Sequence, residues 1–223
     1  MPRAALIDRR PYLLLSLVLA IAYFFASDGR VPGLWLIAWK GSCVGVLALY
    51  AWDRGRGVDG ALIALVMALG AAGDIGIELS LELGAGLFAI GHVVAIALYR
   101  RNTRTKIISS QKLAAYALLL GTPLLTVMIA APQEGWMLAT IYALALGMMA
   151  ASAWTSRFSR YQVGIGAVLF VVSDLVIFAR EAERLDPGIA EWFVWPLYYL
   201  GQFLIVTGVV QRLRGERHAP DAA

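Results

Sequence analysis

Eight apolar runs follow one another through this chain, each near the length of a membrane crossing, with short connections between them. A helix needs about 20 consecutive apolar residues to cross the hydrocarbon of a bilayer. The runs fall at about 11–27, 33–52, 58–79, 84–100, 111–131, 134–154, 160–179 and 190–211. No soluble domain interrupts them. The expected fold is all-α: a polytopic transmembrane bundle of eight helices, forming a single domain over residues 1–223. Composition points the same way. The 223 residues are 60% hydrophobic and 15% charged, where a soluble domain carries about 25% charged residues. The mean hydropathy is +0.72. Arg9 and Arg10 ahead of the first run mimic a signal peptide, but no clear small-x-small cleavage site precedes Asp28, so the run is read as a span.

Charge gives the orientation. Eight spans put both termini on one side. That side would hold Arg3, Arg9, Arg10, Arg54, Arg56, Arg100, Arg101, Arg104, Lys106, Lys112, Arg157, Arg160, Arg212, Arg214 and Arg217. The other side holds Arg30, Arg180 and Arg184, with Lys40 inside a span. The positive-inside rule then sets both termini in the cytoplasm, in the inner membrane if the source is bacterial. The net charge of +4 is carried by short loops and is no signal for nucleic acid. A single cysteine, Cys43, excludes an internal disulfide.

Two aspartates stand out against this background. Asp74 follows Ala-Leu-Gly-Ala-Ala-Gly in the third run, and Asp174 follows Val-Leu-Phe-Val-Val-Ser in the seventh. A carboxylate in hydrocarbon is costly, so an intramembrane ionisable residue points to function. The local sequences match. Gly73-Asp74 parallels Ser173-Asp174, and Gly91-His92 in the fourth run parallels Gly201-Gln202 in the eighth. These matches suggest a 4+4 parallel internal repeat, which would set the two aspartates facing each other across a central cavity.

Depth is a second criterion. At about 1.5 Å of rise per residue, Asp74 and Asp174 both fall in the outer half of their spans. His92, Tyr142, Lys40, Tyr198, Tyr199 and Gln202 fall at similar depth in theirs. Glu78 lies one turn above Asp74 on the same face. Each has an ordinary alternative. One buried Asp is often a helix-packing group, Lys40 can neutralise a carboxylate, and His92 can be a satisfied core histidine. Glu78 reads as a solvated rim residue, Tyr198 and Tyr199 as packing aromatics. Gly70, Gly73 and Gly76 form a small-residue stripe suited to close helix packing, and most of the tryptophans fit interfacial belts. Two carboxylates level with His92 and Lys40 favour a site. No His-Glu-x-x-His or cysteine cluster marks a metal centre, no Gly-x-Ser-x-Gly elbow appears, and no cofactor is expected.

A lysine midway down the second span, Gly73-Asp74, Gly91-His92, Ser173-Asp174 and Tyr198-Tyr199-Leu200-Gly201-Gln202 resemble, in order and spacing, the YhhN/TMEM86 family. The resemblance runs roughly from Lys40 to Gly208. This chain has Lys40-Gly41 where the family often has Lys-Pro, and Ala95 where an aromatic often follows the histidine by three. The resemblance implies an eight-span lysoplasmalogenase, which hydrolyses the vinyl ether of a lysoplasmalogen to a fatty aldehyde and a glycerophospho-alcohol. Such a bond breaks by protonation at its β-carbon, giving an oxocarbenium ion that water captures. That calls for an acid, a stabilising anion and a water-activating base. Asp74 and Asp174 would share these roles. Lys40, Glu78, His92, Tyr142, Tyr198, Tyr199 and Gln202 would bind the lysophospholipid substrate or tune the pair. The partners implied are that substrate and membrane lipids, with no nucleic acid. Two other classes use similar residues: a proton-coupled transporter, and a lysophospholipid hydrolase acting on esters. Pro123 and Pro196 do not occupy corresponding positions of the two halves, which argues against transport.

Overall fold

The computed structural model describes residues 11–26 and 32–216. Within them the chain forms eight helices: α1 (Pro11–Ala26), α2 (Gly33–Arg54), α3 (Gly57–Ile77), α4 (Leu81–Arg101), α5 (Ser109–Ala130), α6 (Trp136–Thr155), α7 (Ile165–Glu181) and α8 (Pro187–Gly215). A single π-helical turn, Arg160–Gly164, leads directly into α7. The eight apolar runs thus correspond to eight helices. Helices α2 to α8, counting the π turn with α7, are each long and apolar enough to cross a membrane. Helix α1 is apolar but has 16 residues, a rise of about 24 Å against the roughly 30 Å of a hydrocarbon core. The chain is a multi-pass helical membrane protein. Its outward surface suits that setting: Leu113, Leu120, Leu124 and Met128 of α5 are all exposed. In water so large an apolar stripe would be an association site.

Helix α8 begins and ends beyond its apolar run. Asp186 accepts a hydrogen bond from the Ile189 amide at 3.2 Å and Pro187 occupies the first turn. Both are strong start signals that hydropathy does not register.

The chain sorts into two compact units, residues 1–91 and 92–223. In the first, α1 joins α2 through Ser16 Oγ donating to the Cys43 carbonyl at 2.6 Å and Trp39 Nε1 donating to the Leu19 carbonyl at 3.0 Å. The glycine stripe of α3 faces the start of α4. A β-carbon on Gly73 would meet the Phe88 ring at 2.9 Å, and one on Gly76 would meet Leu87 at 3.1 Å. In the second unit α5 packs on α6, and α7 on α8. A β-carbon on Gly166 would stand 2.7 Å from the Gly201 carbonyl oxygen, and one on Gly201 would stand 2.8 Å from that of Gly166. Backbone therefore meets backbone where α7 crosses α8. Pro123 sits inside α5 without ending it. A β-carbon on Gly147 of α6 would lie 3.2 Å from the carbonyl of Leu119, four residues before the proline, so the freed oxygen faces a neighbouring helix.

The residue before each aspartate touches the helix that follows in sequence. Gly73 lies against Phe88, and Ser173 Oγ donates to the Val194 carbonyl at 3.0 Å. The tryptophans divide. Trp35, Trp52 and Trp192 are exposed, as a belt requires, but Trp195 is buried. It is an aromatic of the core, because it packs on two tyrosines rather than on headgroups.

Candidate functional site

In the second unit, Asp174 is on the buried face of α7, 6% exposed. The Tyr142 hydroxyl, from α6, donates to its Oδ2 at 2.6 Å. His92 Nε2, from α4, lies 3.1 Å from the same hydroxyl. A phenol has one proton. With that proton given to Asp174, the phenol oxygen is left to accept, and Nε2 is then the protonated nitrogen of the neutral ring. The three groups make one chain, imidazole to phenol to carboxylate, contributed by three helices.

Aromatic rings wall this chain off. Phe170, one turn before Asp174, meets His92 edge to face at 5.1 Å and Tyr198 at 5.2 Å. Phe178, one turn after Asp174, meets Tyr142 at 6.0 Å. Tyr198 also packs on Trp195 at 5.9 Å, and Gln202 Nε2 donates to the Tyr198 hydroxyl at 3.4 Å. Tyr199 stacks on Trp195 at 6.0 Å and 24°. Edge-to-face pairs of this kind add to the burial of their rings and fix their angles. Dry walls also strengthen electrostatic interactions inside them, because the local dielectric is low.

In the first unit, Asp74 is buried on α3, 3% exposed. Glu78 follows one turn later and pairs with Lys40 of α2 at 2.5 Å. The Glu78 side chain is 36% exposed and that of Lys40 16%, so this carboxylate is at a rim and the ammonium is reached mainly from there. Tyr23 of α1 lies within electrostatic range of Glu78 and Asp74, and Cys43 of Asp74. This unit gathers Tyr23, Lys40, Cys43, Asp74 and Glu78.

The structure therefore joins His92, Tyr142 and Asp174 directly, links Tyr198 and Gln202 to them through Phe170, and joins Lys40 to Glu78. The sequence reading placed Tyr142 by depth and did not pair it with Asp174. It also missed Phe170, Phe178 and Tyr23. The signal for the two phenylalanines was present: they flank Asp174 at i−4 and i+4, on its own face of the helix. Among the described residues no three His, Cys, Asp or Glu side chains converge in a group able to hold a metal ion.

A multi-pass helical bundle with a buried carboxyl–phenol–imidazole chain is the class this fold and site define. The chain belongs to the YhhN family, whose sequence pattern matches residues 35–209. The match takes in every candidate residue from Lys40 to Gln202. No curated protein and no solved structure gives a match.

Proposed function

We propose that this protein hydrolyses the vinyl ether bond of lysoplasmalogens, releasing a fatty aldehyde and a glycerophospho-alcohol. The observation that carries the reading is the buried chain His92–Tyr142–Asp174. Family membership supports it.

The reaction needs a proton on the β-carbon of the vinyl ether. This turns the enol ether into an oxocarbenium ion. Water adds to that cation and loses a proton, and the resulting hemiacetal collapses to aldehyde and alcohol. Water is the only co-reactant. Asp174 accepts a hydrogen bond from Tyr142, which suits it to the anion's part: opposing the positive charge and taking a proton from the incoming water. Asp74 is assigned the acid's part. Lys40, with Glu78, suits the substrate's phosphate as a point charge, and Tyr198, Tyr199 and Gln202 suit its glycerol hydroxyls. The charge asymmetry of the loops supports cytoplasmic termini.

The test is product analysis on the purified protein in detergent, offered a lysoplasmenylethanolamine and its ester analogue. Aldehyde from the vinyl ether, without fatty acid from the ester, is the expected result. Fatty acid from the ester instead would make the protein a lysophospholipase. Solute flux in proteoliposomes with neither product would make it a transporter.

Tyr142→Phe keeps the ring and its packing and removes the hydroxyl that links His92 to Asp174. Turnover should fall about ten- to a hundredfold, below the range of losing the acid–base group itself. KM should change little, because the hydroxyl acts through Asp174. A matching rise in KM would mean that Tyr142 holds substrate instead.

A further inference from the structure

We propose that the basic end of the second unit binds the phosphate of an anionic phospholipid headgroup through Arg104, Arg157, Arg160 and Arg212. Helices α4, α6 and α8 end there and the π turn before α7 begins there, so the cluster is where spans leave the bilayer. The loops are pinned together. Thr103 and Ser156 form an antiparallel bridge, the Arg104 amide donates to the Thr155 carbonyl at 3.1 Å, and the Arg157 amide donates to that of Asn102 at 2.7 Å. Arg104 Nη2 donates to the carbonyls of Ser156 and Phe158 at 3.1 and 3.2 Å. Gln162 Nε2 donates to Gln211 Oε1 at 3.1 Å, tying the π turn to α8. These contacts hold the Arg104 guanidinium, and the loop backbone from which Arg157 and Arg160 project, in place before any ligand arrives.

Among the described residues the charge of these arginines is not balanced. Glu216 pairs with Arg157 at 2.9 Å and with Arg212 at 2.9 Å, one carboxylate against four guanidinium groups. Arg160 forms no ion pair with any described residue. Partial burial, and the charges of Arg160 and Arg212, hold Arg104 below the usual guanidinium range. A set of like charges kept this close is relieved by an anion, and guanidinium groups match a phosphate's oxygens two at a time. Tyr161, next to Arg160, is 82% exposed; an amphipathic ring in that position belongs at headgroup depth. A lipid is favoured over a soluble phosphate because anionic leaflets concentrate such headgroups at the surface where basic segments lie.

The site is separate from the proposed reaction centre. Arg160 precedes Asp174 by 14 residues on one helical run, about 20 Å along the axis. The test therefore reads stability and not turnover, and stands apart from the fate of the proposed activity. The full chain in neutral detergent is melted, followed by tryptophan fluorescence, with added dioleoylphosphatidylglycerol, dioleoylphosphatidylcholine or inorganic phosphate. Phosphatidylglycerol should raise the melting temperature, and the other two should not. The double variant Arg160→Gln/Arg212→Gln should need roughly 30-fold more phosphatidylglycerol for the same rise, at about fivefold per charge lost near the surface. Arg160→Gln alone should need about fivefold more, and serves if the double variant does not fold. An equal response to phosphatidylcholine, or a variant that responds as the wild type does, overturns the proposal. An equal response to inorganic phosphate makes this a soluble-anion site and overturns the lipid assignment.

Discussion

Asp174→Asn should lower aldehyde release by about a hundredfold or more, the range expected when a positioned acid–base group is lost. Asparagine is nearly the same size and keeps an oxygen for the Tyr142 hydroxyl, so the ring contacts of Phe170 with His92 and of Phe178 with Tyr142 should survive. It cannot take a proton from water, and it carries no charge to oppose an oxocarbenium ion. The measurement is kcat with the vinyl ether substrate, alongside a melting curve. Near-wild-type turnover in a folded Asp174→Asn protein would end the carboxylate mechanism. Asp74→Asn should give a loss of the same order, since the proton for the β-carbon is assigned to that residue.

Gly166→Ala should destabilise the second unit by about 1–3 kcal/mol, the usual cost of an extra methyl forced into a packed contact. Its β-carbon would stand 2.7 Å from the Gly201 carbonyl oxygen and 3.1 Å from the Ile205 amide nitrogen. The Ile205 side chain, 3.0 Å away, can turn aside, but the carbonyl and the amide are backbone atoms of α8 and cannot. The helix must shift, and with it Tyr198 and Gln202, which lie on the same stretch of α8. Activity should fall together with the melting temperature. Gly121→Ala supplies the control: a β-carbon there meets nothing within 4 Å. In a helix interior that change favours the helix by roughly 1 kcal/mol. If Gly166→Ala melts no lower than Gly121→Ala, the backbone contact between α7 and α8 is not what holds these helices together.

Much of the fold could be read from hydropathy, because a membrane helix shows itself in one dimension. A run of about 20 apolar residues is its own signature, and all eight runs became helices. Ends were less legible where polar chemistry sets them, as at Asp186 and Pro187. The π turn left no trace in composition. Among the candidate residues, depth was readable and pairing was not. Counting residues gives a height along the axis, but the bond from Tyr142 to Asp174 depends on how α6 and α7 are rotated against each other, which packing decides. Lys40 and Glu78 show the same limit. Each is visibly charged in sequence, but their 2.5 Å pairing depends on how α2 and α3 pack.

The π turn at Arg160–Gly164 sets an angular phase. A π turn holds about one residue more than an α turn, and one residue is about 100° of helix rotation. The guanidinium of Arg160 and the carboxyl of Asp174 ride on one continuous shaft, on either side of that extra residue. Removing a single residue from the turn would leave the chemistry of both ends intact while swinging one by more than a quarter of a revolution against the other. Deletions in this short stretch should therefore be tolerated far less well than substitutions in it, since each side chain matters less than the number of them.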